Sequence, residues 1–241
     1  MYKRQAVGWR ATYAVLALCA AVALAGLYKL PERRSAHPAP LRLMRLLAPL
    51  SYRDVPVLLL GCLAFSSAFY GVYAFLADHV RTLLGLSAGQ VGFIAFAYGA
   101  GFLFAGLVGA PLIERLGPRR ALPLALAAIA LVYLGLLPAA HALAAVLAIA
   151  VLWGAASQLS LNLLVLLLSR ARPDERGAVL GLNTCTTYLG ASVGTAVAGT
   201  LYTHAGFDTL GLAAAGAVAL AALALHWRLN GRRAAGSRAT A

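Results

Sequence analysis

Seven long apolar runs joined by arginine-rich loops leave this chain few ways to fold. The runs cover residues 11–28, 55–77, 91–113, 121–139, 143–168, 178–203 and 210–228. The hydrocarbon core of a bilayer is about 30 Å thick, and a helix rising about 1.5 Å per residue crosses it in roughly 20 residues. Only 11% of the residues are charged, against about 25% in soluble domains, so these runs have too little charge beside them to make a water-facing skin. In lipid every backbone N–H and C=O must be paired internally, which admits helices or closed barrels. Runs this long and uniformly apolar lack the alternation of barrel strands. The expected fold is an all-α membrane protein with seven transmembrane helices.

The net charge of +13 would, in a soluble chain, point to nucleic acid. Here the cations occupy loops, so they report topology and no nucleic-acid partner is expected. With the N-terminus outside, the inner loops hold Lys29, Arg33, Arg34, Arg42, Arg45 and Arg53, then Arg115, Arg119 and Arg120, then Arg170, Arg172 and Arg176. The C-terminal end adds Arg228, Arg232, Arg233 and Arg238, and the outer side keeps only Lys3, Arg4, Arg10 and Arg81. This bias predicts a multi-pass protein of the cell inner (plasma) membrane with a cytoplasmic C-terminus.

The chain divides into a leading helix (1–28), a basic cytoplasmic linker (29–54), a six-helix bundle (55–228) and a basic cytoplasmic tail (229–241). The linker carries Pro31, Pro38, Pro40 and Pro49, and its stretch around Leu41–Leu50 reads as amphipathic, lying on the membrane surface. The first run ends in Leu30-Pro31-Glu32-Arg33-Arg34 without a small-residue cleavage site, so it is expected to remain as a helix.

The carboxylates Glu32, Asp54, Asp78, Glu114, Asp174, Glu175 and Asp208 fall outside the runs or at their edges. Intramembrane ionisable groups mark ion and proton paths, and none is expected here. The lysines, Lys3 and Lys29, lie outside the runs, which excludes a retinal Schiff base. Cys19, Cys62 and Cys185 have no metal-ligand spacing and read as small buried hydrophobes, so no metal or other cofactor is expected.

Uncharged polar residues do fall within the runs. Ser66, Tyr70 and Tyr73 share one helix face, as do Gln158 and Asn162, and Asn183 and Thr187 with Tyr188 beside them. Two readings stay open. Such groups bond helices together at about 0.6 kcal/mol each, or they line a polar cavity. Gly92, Gly99 and Gly106 recur every seven residues, and Gly190, Gly194 and Gly199 form a second series. Both series predict close helix packing. Gly190-Ala191-Ser192-Val193-Gly194 also fits the nucleophile-elbow pattern. That elbow needs a strand-to-helix turn, whereas Ser192 falls mid-helix, and His204 lies about 18 Å further along by the helical rise. No catalytic residue and no enzyme activity are expected.

Two loops carry a resemblance. Ala110-Pro-Leu-Ile-Glu114-Arg115-Leu-Gly117-Pro118-Arg119-Arg120 resembles the loop signature of the major facilitator superfamily, Gly-x-Leu-x-Asp-Arg-x-Gly-Arg-Arg, with Ala110 in place of the leading Gly and Pro118 in place of an Arg. Arg172-Pro-Asp-Glu-Arg176-Gly177, followed by Gly181, Asn183, Gly190, Gly194 and Gly199, looks like the entry to the eleventh helix of drug-efflux-type members. Gly8-Trp9-Arg10, before a helix ending in Leu30-Pro31-Glu32, is similar to the family's sixth helix.

The resemblance implies the C-terminal half of such a transporter, with most of the N-terminal half lacking. The bundle would then be two inverted three-helix repeats, 55–139 and 143–228, behind one leading helix. It implies a gating loop at Glu114, Arg115, Gly117, Arg119 and Arg120, and half of a small-molecule cavity lined by Ser66, Tyr70, Tyr73, Gln158 and Asn162. Alternating access needs a second bundle to rock against, so a separate N-terminal half is an expected partner beside the lipid bilayer. The rival expectation is a non-transporting scaffold or regulator that binds other helices through its glycine faces.

Overall fold

The computed structural model describes residues 9–28 and 47–236, with side chains over 13–28 and 47–230. Most of the expected linker, including 41–46 of its amphipathic stretch, lies outside the described residues. Two compact units are present, split between Leu41 and Arg42. In the first, α1 (Trp9–Tyr28) is a helix that is apolar on every side.

The second unit begins with a 3-10 turn, Ala48–Ser51, started by Pro49. Then follow α2 (Val55–Leu84), α3 (Ala88–Leu116), α4 (Pro118–Ala139) and α5 (Leu143–Ala171). A short 3-10 turn, Pro173–Glu175, leads into the helical stretch Arg176–Gly236. Gly206 breaks that stretch, with φ 80° and ψ 175°. This is a backbone state that costs glycine little and side-chain-bearing residues a great deal. The stretch is therefore treated as α6 (176–205) and α7 (207–236).

Among the described residues every regular element is helical. Five helices are long and apolar enough to cross a bilayer: α2, α3, α4, α5 and the stretch Pro173–Asn230, taken as one. The helices outrun the apolar runs at several ends. Asp78 and His79 lie on α2, six turns or so along it, and the helix that ends α7 continues through part of the segment read as a tail. Polar residues end an apolar run without ending a helix, because a helix can rise out of the hydrocarbon into the headgroup layer.

Local chemistry sets the turns. Ser87 and Gln90 form a reciprocal capping box at the start of α3: the Gln90 N–H donates to Ser87 Oγ at 3.4 Å, and the Ser87 N–H donates to Gln90 Oε1 at 2.9 Å. Gly117 (φ 74°) is the single residue between α3 and α4. Pro118 follows at the first helical position, where its missing N–H is not needed. Pro123, inside α4, cannot donate to the Arg119 carbonyl one turn back. Asn230 Nδ2 of α7 reaches that carbonyl instead, at 3.5 Å.

Packing pairs α2 with α6 and α7, α3 with α5, and α4 with α5 and α7. Glycines set the closest approaches. A methyl group on Gly101 would strike the Val151 carbonyl, and one on Gly154 would strike the Tyr98 carbonyl, so α3 and α5 touch through their backbones. In the same way Gly194 lies on the Ser67 backbone, and Gly71 faces Ala198 and the Gly194 carbonyl, which joins α2 to α6. Gly61 accommodates Leu225 of α7, and Gly211 of α7 accommodates Leu137 of α4. Between lipid-solvated helices there is no hydrophobic drive to associate, so such close van der Waals contact is what holds them.

Candidate functional site

The aromatic residues of four helices meet in one cluster. Phe69 of α2 stacks on Tyr73 at 5.6 Å and meets Tyr98 of α3 at 5.6 Å and Trp153 of α5 at 5.3 Å between ring centroids. Tyr73 in turn lies 6.0 Å from Tyr98 and 6.0 Å from Trp153. Tyr133 of α4 closes the back of the cluster, edge-on to Trp153 at 5.6 Å. Edge-to-face and offset pairs at such distances are favourable by about 0.5–1.5 kcal/mol beyond burial. Tyr73, Tyr98 and Trp153 each sit some ten residues from the helix ends nearest Gly85 and His141, or about 15 Å by the helical rise. Because α2 carries Asp78 and His79 beyond Tyr73, the cluster lies within the span, between its middle and the end nearest Gly85 and His141.

The cluster has a buried side and an open side. Trp153, Tyr133 and Ser157 are fully buried, whereas Tyr70 and Tyr73 remain 37% and 42% exposed. Tyr98 interacts with Ser157 and Tyr133 with Trp153. Even so, Tyr133 Oη, Trp153 Nε1 and Ser157 Oγ lack a well-directed hydrogen-bond partner. A polar atom in that state, away from water, carries a cost that a bound water or solute could offset.

A second polar seam lies deeper between α2 and α6. Cys62 Sγ is 3.3 Å from Thr187 Oγ1 and 3.9 Å from Ser66 Oγ, and it faces the Asn183 carbonyl at 3.9 Å. Thr187 also donates to the Asn183 carbonyl at 2.9 Å, and Asn183 Oδ1 is buried without a partner. Cys62 is buried as expected of a small hydrophobe, but Cys19 and Cys185 are exposed. A small residue packs acceptably on either side of a membrane helix, so the cysteine side chain alone does not fix which way it faces.

The remaining candidate residues fall as follows. Gln158 is half-buried over Gly106, whose missing side chain makes room for it at 3.3 Å, and Asn162 is exposed. Gly99 has open space around it, and Gly199 has ordinary contact with Phe75 at 3.5 Å. Gly190 packs on Ser66 and the Leu63 carbonyl. Ser192 lies within α6, and its hydroxyl donates to the Tyr188 carbonyl at 3.0 Å. Glu114 and Arg115 are exposed on the last turn of α3, while Gly117, Arg119 and Arg120 line a cavity at that end of the bundle. At the opposite end Tyr202 donates to Asp78 at 2.9 Å, and His79 stacks on Phe207 at 4.4 Å.

The structure thus brings Tyr70 and Tyr73 together with Tyr98, Trp153 and Tyr133, and brings Ser66 together with Asn183 and Thr187 through Cys62. Sequence reasoning did not single out Phe69, Tyr98, Tyr133, Trp153 or Ser157. Counting residues inward from the predicted helix ends would have placed the aromatic ones at one depth.

Residues 58–240 match the family described as Major Facilitator Superfamily. The chain is also 30% identical over 159 residues to a Bacillus subtilis (strain 168) protein named "Uncharacterized MFS-type transporter YwfA", a match that covers 66% of this chain and 38% of that relative.

Proposed function

Because the chain belongs to the Major Facilitator Superfamily, we propose that it forms one wall of a transport path through which a small molecule crosses the membrane by alternating access. The observation that carries this reading is the aromatic face inside the spans, open on one side at Tyr70 and Tyr73. Solute sites in such proteins sit near the midplane between two helix bundles, and mostly apolar walls with a few polar groups suit a small organic molecule. Drug-efflux type and outward direction are the finer form of the same proposal. The family match weighs for transport over a non-transporting scaffold.

In this reading the chain makes seven crossings. The stretch Pro173–Asn230 has 58 residues, which would run about 87 Å as a straight helix, far beyond a single 30 Å crossing. The break at Gly206 is where the chain would turn back. Two inverted repeats, 55–139 and 143–228, are supported by the packing. Exchanging α2 with α5, α3 with α6, and α4 with α7 carries each main contact onto another: α3–α5 onto α6–α2, α4–α5 onto α7–α2, and α4–α7 onto itself. The end that carries Arg119, Arg120, Arg170 and Arg228 is assigned to the cytoplasm of a plasma-membrane protein by its charge. The outward aromatic and aliphatic side chains of α3, such as Phe96 and Leu107, and those of α6, such as Tyr188 and Val193, are left for lipid or a partner half to cover.

Labelling tests the path. With the native cysteines replaced, Tyr73→Cys and Leu103→Cys are compared in native membranes with a membrane-impermeant maleimide. Tyr73→Cys is expected to label several-fold faster, since its position would face water and Leu103 would face lipid. Equal labelling of the two would sink the reading.

A further inference from the structure

The basic end of the bundle, where the resemblance places a gating loop, encloses a cavity to which the transport reading assigns no ligand. A cavity of about 430 Å³ opens where α3 turns into α4, lined by Arg119, Arg120, Arg170, Asp54 and Asn230 over leucines from α2, α3, α5 and α7. A second cavity of about 270 Å³ shares Asp54, Arg119 and Arg170 with it and adds Arg53. Cations therefore outnumber the one carboxylate on the combined wall. Among the described residues, none of the Arg119, Arg120 and Arg170 guanidinium groups is hydrogen-bonded or ion-paired to a protein group. Three like charges that converge on one partly enclosed space repel each other, and an anion placed among them removes that repulsion.

Three further features fit an anion. The first turn of α4 lines the cavity with no side-chain cap, and since Pro118 has no N–H and the Arg120 N–H donates to the Gly117 carbonyl, the Arg119 N–H is the donor left at this helix start for negative charge. The Arg119 carbonyl, which would repel an anion, accepts from Asn230 Nδ2 at 3.5 Å in place of the N–H that Pro123 lacks. Arginine offers a planar fork that matches phosphate oxygens two at a time.

The leucines on the inner wall belong to the ends of apolar helices. They place the cavity at the depth where headgroups meet acyl chains. A phosphate carried on an apolar body fits both walls, and a bare phosphate fits only one.

We propose that this cavity binds the phosphate of an anionic phospholipid, with Arg119, Arg120 and Arg170 as its ligands. Basic pockets between transmembrane helices recognise lipid headgroups in this manner. The site stands or falls independently of transport, since it needs only that the helices cross a bilayer.

The full chain, purified in a neutral detergent, is titrated with phosphatidylglycerol, phosphatidylcholine and inorganic phosphate, and bound species are read by native mass spectrometry. Phosphatidylglycerol is expected to be retained about tenfold better than phosphatidylcholine. The double variant R119Q/R170Q is expected to lose that preference, R119K/R170K to keep part of it, and R81Q/R176Q, with its charges elsewhere, to keep all of it. Inorganic phosphate that displaces phosphatidylglycerol at equal concentration would assign the site to a free anion instead of a lipid. Equal retention of the two lipids, or an equal loss in R81Q/R176Q, overturns the proposal, because the attraction would then belong to net charge and not to this cavity.

Discussion

The α3–α5 contact and the α2–α6 contact are built by the same device and used differently. In each, glycines bring two backbones together: Gly101 and Gly154 in one, Gly71 and Gly194 in the other. Beside the first contact stand the large rings of Tyr98 and Trp153, which join Phe69 and Tyr73 in a wide aromatic face. Beside the second stand the small groups of Cys62, Ser66 and Thr187, which satisfy one another across the seam. Backbone proximity fixes where helices meet. The side chains around it decide whether the junction is closed on itself or left open to a third party. The α2–α6 seam is closed through Cys62 and leaves Asn183 Oδ1 alone unmatched, whereas the α3–α5 junction is open at Tyr73 and leaves Tyr133 Oη, Trp153 Nε1 and Ser157 Oγ without a well-directed partner.

The hardest way to break this comparison is to remove the shared device. Gly154→Leu should abolish folding, because the added side chain meets the Tyr98 carbonyl and the Phe102 N–H, neither of which can swing aside. Overpacking a flexible core costs about 1–3 kcal/mol, and a backbone obstacle should exceed that range. Gly99→Leu, whose position is open, should fold as the parent does. The yield of monodisperse protein in detergent distinguishes them, and equal yields would mean that α3 and α5 do not touch as described.

That pair of glycines also shows what could be read in advance. The apolar runs located the helices, since length and absence of charge suffice for a bilayer span. The turn at Gly117 and the basic ends were also legible. The face of each helix was not. A soluble helix announces its buried side by alternating polar and apolar residues, but α3 is apolar all round, so Gly99 and Gly101 look alike in sequence while only Gly101 meets a backbone. The aromatic cluster was hidden for a related reason. Phe69, Tyr98, Tyr133 and Trp153 come from four separate helices, and although counting from the run ends gives their depth, only packing turns their faces toward one another.

A smaller change should separate the two junctions by function. Trp153→Leu keeps an apolar side chain but removes the ring shared by Phe69, Tyr73, Tyr98 and Tyr133. It should lower thermal stability in detergent, by about 1–3 kcal/mol if the lost ring contacts are only partly replaced. In the labelling assay it should also change the rate at Tyr73→Cys by several-fold, since the ring packed against that position is gone. Thr187→Val, at the α2–α6 seam, should leave that labelling rate unchanged. A labelling change of the same size in both variants would mean that the two junctions are one site.

The smallest effect expected is at the closed seam itself. Thr187→Val keeps the shape of the side chain and removes the hydroxyl that bonds the Asn183 carbonyl and meets Cys62. Interhelical hydrogen bonds of this kind average about 0.6 kcal/mol, so its melting temperature in detergent should fall only slightly. Ser66→Ala, which touches the same thiol, should cost no more. Their double variant should depart from the sum of the two, because both hydroxyls act through the one Cys62 thiol. Strict additivity in a double-mutant cycle would show that Ser66 and Thr187 act apart, and the description of a seam closed through Cys62 would fail.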